Sequence, residues 1–445
     1  MRETDGVSAT AVDRSSSSPN TLPCARAALA TAIVLFVSAC GGGADGSGAA
    51  GAANSAELAN GTPASAPALS PAPATFASAC AGATGRLLQV GAGQTYATPS
   101  AAAAVAQNGD VIKIAAGEYR GDVAVWNASN LTICGGAGRA RLYADGKNAG
   151  GKGIWVVYGS NFLVENVDFH DAAVPDRNGA GIRAQGGGTL TVRYSGFFDN
   201  EDGILGGLGN VVTIEHSEFA RNGRGDGQSH AIYIDAAERL TVTSSFFHET
   251  KVGHNLKSRA KESHVENSYF MDGPTGTASY QADFPNGGAV YLRGNVFQKG
   301  PLAQNSHLIA FAAEGVKWPT NTLTMVHNTL VSTRSGGVFL YAPATTQAVT
   351  LTANLFAGTG SPGLIDGGFL ATQTIQQNNV TSTASHFAAP DIAAPSFWPD
   401  ATLQPQTLLG SVPDAGYAVD SPQPFVTRTI DPSRPRLIGA LQSAP

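Results

Sequence analysis

Leu240-Thr241-Val242-Thr243-Ser244-Ser245-Phe246-Phe247 is followed by Val265-Glu266-Asn267-Ser268-Tyr269-Phe270, and then by Val290-Tyr291-Leu292-Arg293-Gly294-Asn295-Val296-Phe297. Each run alternates apolar and polar residues, the mark of a strand with one buried face. Each carries Asn or Ser shortly before its closing aromatic residue. The same pattern extends through residues 163–169, 190–198, 212–219, 323–330 and 349–356. The marker residues are Asn166, Ser195, Ser217, Ser245, Asn267, Asn295, Asn328 and Asn354, spaced 22 to 33 residues apart. Spacing that drifts this much suits a solenoid with variable loops better than a propeller.

A shorter apolar segment follows each run: Ile182-Arg183, Ile204-Leu205, Ile232-Tyr233-Ile234, Leu256-Lys257-Ser258, Tyr280-Gln281-Ala282, Ile309-Ala310-Phe311 and Val338-Phe339-Leu340. Two or three short strands per turn with a polar ladder at one corner predict an all-β fold, a single-stranded right-handed parallel β-helix. Inward side chains of successive coils then stack into one core. Aligned Asn side chains hydrogen-bond along the stack and satisfy the corner amides. Residues 100–106 predict a short helix with Ser100 as N-cap, covering the first coil's open edge. The β-helix is expected over 86–372 and a closing segment over 373–445.

Composition agrees. The chain has 445 residues, 42 % of them hydrophobic, which excludes disorder throughout. With 54 Gly and 24 Pro it is too rich in turn formers for a helical bundle. A net charge of −6, from 27 basic and 33 acidic residues, argues against a nucleic-acid groove. No run of 18 apolar residues exists, so no transmembrane helix is expected. Arg26 precedes an apolar run over 28–39 that fits the core of a signal peptide, giving a leader over 1–39. Residues 40–85 are rich in Gly, Ala, Ser and Pro and read as a flexible tether. Cys80 and Cys134 fall near the start of the folded body and are a candidate disulfide in an oxidising compartment.

Chemistry on a β-helix sits on outward residues of neighbouring coils. Stacking the second strands with Ile232, Leu256, Tyr280 and Ile309 inward gives an outward column of Tyr233, Lys257, Gln281 and Ala310. A second column reads Asp235, Arg259, Asp283. His230, His254 and His307 recur at one coil position. Lys251, Lys257, Arg259 and Lys261 form the densest basic patch of a charge-poor chain. Such a patch suits capture of an anionic polymer, and uronate polysaccharides are the expected partner. The matching reaction is β-elimination: a base removes the proton beside the carboxylate, and a cation neutralises the charge that builds there. Lys257 is the expected base, because both its expected neighbours, Tyr233 and Gln281, are neutral. Arg259 is the neutralising cation, and Tyr233 or His230 the proton donor to the leaving oxygen. His254, Gln281, Asp235, Asp283, Lys251 and Trp318 are the expected substrate contacts, Trp318 by stacking a sugar ring. Two other readings stand beside this one. Asp202, Asp226, Asp235 and Asp283 supply carboxylates for a polygalacturonase-like hydrolase. A non-catalytic glycan-binding or adhesin solenoid needs none of these roles.

Three resemblances sharpen these expectations. Val37-Ser38-Ala39-Cys40, followed by Gly41-Gly42-Gly43, resembles the lipobox of bacterial lipoproteins. That resemblance implies acylation of Cys40 and anchoring to a membrane, with Gly41 in the pattern of outer-membrane lipoproteins facing the periplasm or cell surface. Gly91-Ala92-Gly93-Gln94-Thr95-Tyr96, Ala116-Gly117-Glu118-Tyr119, Asp414-Ala415-Gly416 and Arg436-Leu437-Ile438-Gly439-Ala440 resemble the opening and closing segments of pectate-lyase-like β-helix proteins. Gly253-His254-Asn255-Leu256-Lys257-Ser258 with Glu266-Asn267-Ser268-Tyr269-Phe270 is similar to the catalytic region of alginate-lyase and chondroitinase-B-type lyases. That match gives Lys257 the base role. Those enzymes place an arginine on the following coil, where this chain has Ala278-Ser279-Tyr280-Gln281-Ala282-Asp283 and no arginine. The calcium they bind is matched here only by Glu249 and Glu262. No other cofactor is implied, and a monomer is expected.

Overall fold

The computed structural model describes residues 77–136, 138–359, 363–393 and 396–403, with the shorter pieces 407, 417–419, 427–429, 433 and 435–442. The leader, Cys40, most of the tether and the segment 414–416 lie outside the described residues.

Three parallel sheets form the faces of a solenoid. One has twelve strands, from Leu87–Val90 to Thr374–Gln377. A second has ten, from Ala124–Trp126 to Gly363–Asp366. The third has eleven, from Gly117–Arg120 to Val380–Thr383. Each complete coil contributes one strand to each sheet and pairs with the next coil in parallel, while the coils at the two ends contribute fewer. The last coil therefore runs past the expected limit of 372. Inward alternate residues of all three sheets merge into one buried core. Phe169, Phe197, Phe219, Phe247, Phe270 and Phe297 stack along it with ring centroids 4.6 to 5.0 Å apart. That distance equals the step between hydrogen-bonded strands, so each ring lies on the one below.

One corner carries the expected polar ladder. The backbone N–H of Ser268 donates to Asn295 Oδ1 at 3.0 Å, that of Asn295 to Asn328 at 3.0 Å, and that of Asn328 to Asn354 at 2.9 Å. Ser195, Ser217 and Ser245 continue it with hydroxyl acceptors. Two marker residues are corrected. Asn166 and Asn267 sit one residue ahead of the ladder with φ of 58° and 50°, in the left-handed turn shared by Tyr194, His216 and His327. Asn tolerates that conformation better than most residues, which is why it mimics a ladder residue in sequence. Ser268 holds the ladder place in that coil.

The ends also differ from expectation. The capping helix is Pro99–Ala103, with Thr98 rather than Ser100 at its N-cap. Proline at the first helical position costs no hydrogen bond, because that N–H has no intrahelical partner. Ser100 instead donates its backbone N–H to Asp122 Oδ2 at 3.0 Å. A helical turn, Ala79–Gly82, lies in the stretch assigned to the tether. It is joined to the body by a disulfide between Cys80 and Cys134, Cα atoms 6.2 Å apart. At the other end Ile438, Ala440 and Leu441 join a second apolar cluster with Phe246, Tyr269 and Leu355. The closing segment thereby covers the outer face of the eleven-stranded sheet.

Asn328 is fully buried and donates through Nδ2 to Leu292 O at 2.8 Å and Asn354 Oδ1 at 2.9 Å. Asn328→Ala leaves the Asn295 N–H without its acceptor and removes the side chain's own bonds to Leu292 O and Asn354 Oδ1. It should cost about 2–4 kcal/mol, read as a lower denaturation midpoint in guanidinium. Asn127→Ala, at an exposed position, should leave the midpoint unchanged.

Candidate functional site

The outer face of the ten-stranded sheet carries the chemistry. Register places Arg183, Leu205, Tyr233, Lys257, Asp283, Ala310 and Tyr341 in one outward column. Tyr233 lies directly beside Lys257, as the stacking of the second strands implied. Gln281 does not. Strand Tyr280–Phe284 is shifted by two residues, so Asp283 flanks Lys257 and Ala282, not Tyr280, continues the inward column of Ile232 and Leu256. Tyr280 instead pairs with His254, ring centroids 4.9 Å apart. Gln281 is fully buried, its Oε1 accepting from Asn255 Nδ2 at 2.6 Å, and so lies off the outer face.

Lys257 thus has acidic rather than neutral neighbours. Its Nζ lies 3.1 Å from Glu314 Oε1 and 3.9 Å from Asp283 Oδ2. Arg259 donates from Nε to the Tyr233 hydroxyl at 2.8 Å, from Nη1 to Asn286 Oδ1 at 2.7 Å and from Nη2 to Glu314 Oε2 at 2.6 Å. The expected outward column of Asp235, Arg259 and Asp283 is broken, because Asp283 lies beside Lys257. Both cations converge on one carboxylate, Glu314, which sits on the insertion after strand His307–Phe311. Burial alone would raise the Glu314 carboxyl; hydrogen bonds from Arg259 and Lys257 outweigh it and hold it below the usual range. Half-exposed Trp318 anchors this insertion by donating Nε1–H to the Arg259 carbonyl at 3.0 Å.

The basic patch is neutralised by carboxylates from other coils. Lys251 pairs with Asp199 at 3.2 Å and Lys261 with Glu238 at 3.3 Å. Lys251 is thereby directed away from the Lys257 face.

Behind the outward column runs a second one of Asp202, His230, His254, Tyr280 and His307. Their places follow from the registers of Ile204 with Ile232, Ile232 with Leu256, His254 with Tyr280, and Ala282 with Ile309. The His230 backbone N–H donates to Asp202 Oδ1 at 2.8 Å, and the His254 backbone N–H donates to His230 Nδ1 at 3.1 Å. The two imidazoles stack at 4.5 Å. Burial holds the His254 imidazole down at about 3 and depresses His230 as well, so both are neutral near pH 7. His230 is 2 % exposed, which removes it as a proton donor to substrate. His254 Nε2 lies 3.3 Å from Asp283 Oδ2. Burial pushes Asp283 up to about 7 against the pull of Lys257, and Asp202 up to about 8.

Calcium does not fit the two residues matched to it. Glu249 accepts from Thr275 Oγ1 and lies 3.1 Å from His248 Nδ1, beside the eleven-stranded sheet. Glu262 is on the twelve-stranded sheet and pairs with Arg239 at 2.6 Å. The hydrolase carboxylates are dispersed too. Asp202 and Asp235 line one cleft of about 490 Å³, which does not include Asp226 or Asp283. Asp226 Oδ1 accepts the Gln228 backbone N–H. Glu314 and Asn286 escaped the sequence reading. The only signal for Glu314 was its place in the longest coil insertion.

A family model described as "Right handed beta helix region" matches residues 126–270. A crystal structure of pectate lyase Pel9A superposes with a TM-score of 0.50 at 13 % identity, covering 82 % of this chain and 98 % of that one. No curated protein matches. The fold is a right-handed parallel β-helix of the pectate-lyase type.

The buried carboxyl beside Lys257 sets a pH dependence. Folded Asp283 keeps its proton up to about pH 7, whereas an unfolded aspartate loses it at about pH 4. Between those values unfolding releases a proton, so rising pH weakens the fold. Asp283→Asn removes this contribution, while Asp202 weakens both proteins alike. The variant should gain on wild type by on the order of a few kcal/mol from pH 4.5 to 7.5, read from denaturation midpoints across that range. A constant difference between the two would exclude the assignment.

Proposed function

We propose that this chain acts on an acidic polysaccharide laid across the outer face of the ten-stranded sheet, and cleaves it by β-elimination. One observation carries the reading: Lys257 and Arg259, two residues apart in one coil, close on a single carboxylate, Glu314, carried on an exposed insertion. A uronate carboxylate presents the same two oxygens as Glu314 and would replace it. Arg259 then neutralises the carboxylate while charge builds on it. Displacing Glu314 also frees Lys257 from its 3.1 Å ion pair and leaves its amine beside the sugar. Once its ammonium proton has passed to solvent, the neutral amine takes the proton from the carbon next to the carboxylate. That electron pair becomes a carbon–carbon double bond as the glycosidic C–O bond breaks. Tyr233 receives a hydrogen bond from Arg259 and keeps its own O–H proton for the leaving oxygen.

Export fits this reading, since the Cys80–Cys134 disulfide belongs to an oxidising compartment. Attachment to a membrane through Cys40 is part of the proposal. A second reading, binding without cleavage, is favoured by Asp283, a second carboxyl 3.9 Å from Lys257.

Alginate, pectate, glucuronan and glycosaminoglycans serve as substrates, with the ultraviolet absorbance of the unsaturated uronate as readout. Turnover is expected on at least one, lowered about a hundredfold or more by Lys257→Ala or Arg259→Ala. Glu314→Gln should lower KM several-fold by removing the internal competitor. Retardation in polymer-containing gels with no absorbance, abolished by Arg259→Ala, would establish the binding reading instead. Neither turnover nor retardation on any polymer would refute both.

A further inference from the structure

The cleft holding Asp202 and Asp235 adjoins the Lys257 face, because Tyr233 lines it and also accepts from Arg259. Its central cation is Arg183, three coils before Lys257 in the same outward column. Arg183 is half-buried, and its Nε and Nη1 are shielded from solvent with no hydrogen-bond partner. A guanidinium left in that state is costly, and a planar two-oxygen anion is the group that relieves it. Asp202 and Asp235 attract it, but among the described residues neither closes to an ion pair with it. Asp202 is buried with Oδ1 engaged by the His230 backbone, and its carboxyl is neutral near pH 7. Asp235 Oδ1 accepts the Ala236 N–H.

The cleft is also pre-built. Its wall includes Asp176, Arg177 and Asn178. Glu201 Oε2 ties this loop down by accepting from Val174 N–H at 3.0 Å and Gly179 N–H at 2.8 Å. Ser229 Oγ, from a later coil, donates to the Arg177 carbonyl at 3.1 Å. Leu208 at the rim is 67 % exposed, an apolar surface suited to the face of a pyranose ring.

We infer that the Arg183 cleft is a second carboxylate subsite, holding another uronate of the same polymer, so that the chain of sugars lies along the solenoid axis. This rests on the reading that the Lys257–Arg259 face takes an acidic polysaccharide. Three coil steps separate the two subsites, on the order of 14 Å at the inter-strand spacing, or about three sugar units.

Size-defined oligouronates of two to six units, prepared from alginate and pectate, test this by calorimetric titration of the full chain. Wild type should bind pentamers and hexamers at least tenfold more tightly than dimers. Arg183→Gln should remove that gain and leave dimer affinity unchanged. Arg259→Gln should weaken binding at every length. Removing an unpaired, half-buried charge is not expected to unfold the chain, and an unchanged thermal midpoint verifies this. If Arg259→Gln weakens binding while Arg183→Gln matches wild type at all lengths, the cleft is not a subsite and the proposed function stands. If wild type binds no oligouronate of any length, both fall together. If hexamers of neutral sugars bind as tightly as oligouronates and lose affinity equally in Arg183→Gln, the cleft is a sugar site that does not read carboxylate, and the inference is overturned.

Discussion

Coil-to-coil hydrogen bonding fixes a step of about 4.8 Å, and the rest of the molecule obeys it. The phenylalanine rings of the core stack at that step. So do the Asn and Ser side chains of the corner, each passing one hydrogen bond to the coil before it. The same step governs charge. Two like charges in register would face each other across it at a cost. The twelve-stranded sheet instead sets Arg193 against Glu165, Arg239 against Glu262 and Arg293 against Glu266. Lys257 beside Asp283 follows the rule. Arg183 departs from it, with Val156 on one side and Leu205 on the other.

Periodicity made the fold legible, because burial of alternate residues repeats in every coil and needs no knowledge of loops. Register was less legible, for a physical reason. A one-residue slip exchanges inside for outside and violates the apolar pattern; a two-residue slip preserves it. Tyr280 and Ala282 are both acceptable inward residues, so the sequence alone could not choose between Gln281 and Asp283 as the neighbour of Lys257. The structure chooses by packing Tyr280 against His254 and joining Asn255 to Gln281. Partners from loops were out of reach altogether. Glu314 lies 57 residues beyond Lys257, and only the three-dimensional course of the insertion brings it back.

The ion pairing changes what a charge cluster means in such a fold. Lys251, Lys257, Arg259 and Lys261 read as a basic patch because they are close in sequence. Each finds a carboxylate in another coil: Asp199, Glu314 or Glu238. In a solenoid the neighbours that decide local potential are one coil away, about 22 to 33 residues in this chain. Local density along the chain therefore overstates the field. The informative cation is the one that register leaves unmatched.

Buried polarity points to the same place. Along the column of Asp202, His230, His254, Tyr280 and His307, the positions before and after are Ala180 and Val338. A β-helix core is complete with such apolar residues and gains no stability from neutral histidines stacked beside a protonated aspartate. Burying these groups costs free energy that the stacked phenylalanines must offset. Ionisable groups kept in a stable scaffold against their solvation preference, beside a cleft, are candidates for a functional site. Here the coil of His254 also carries Lys257 and Arg259, and Arg183 lies on the coil next to that of Asp202. Three independent departures from the apolar repeat, one buried, one charged and one in the shape of a cleft, fall on the same stretch of one sheet.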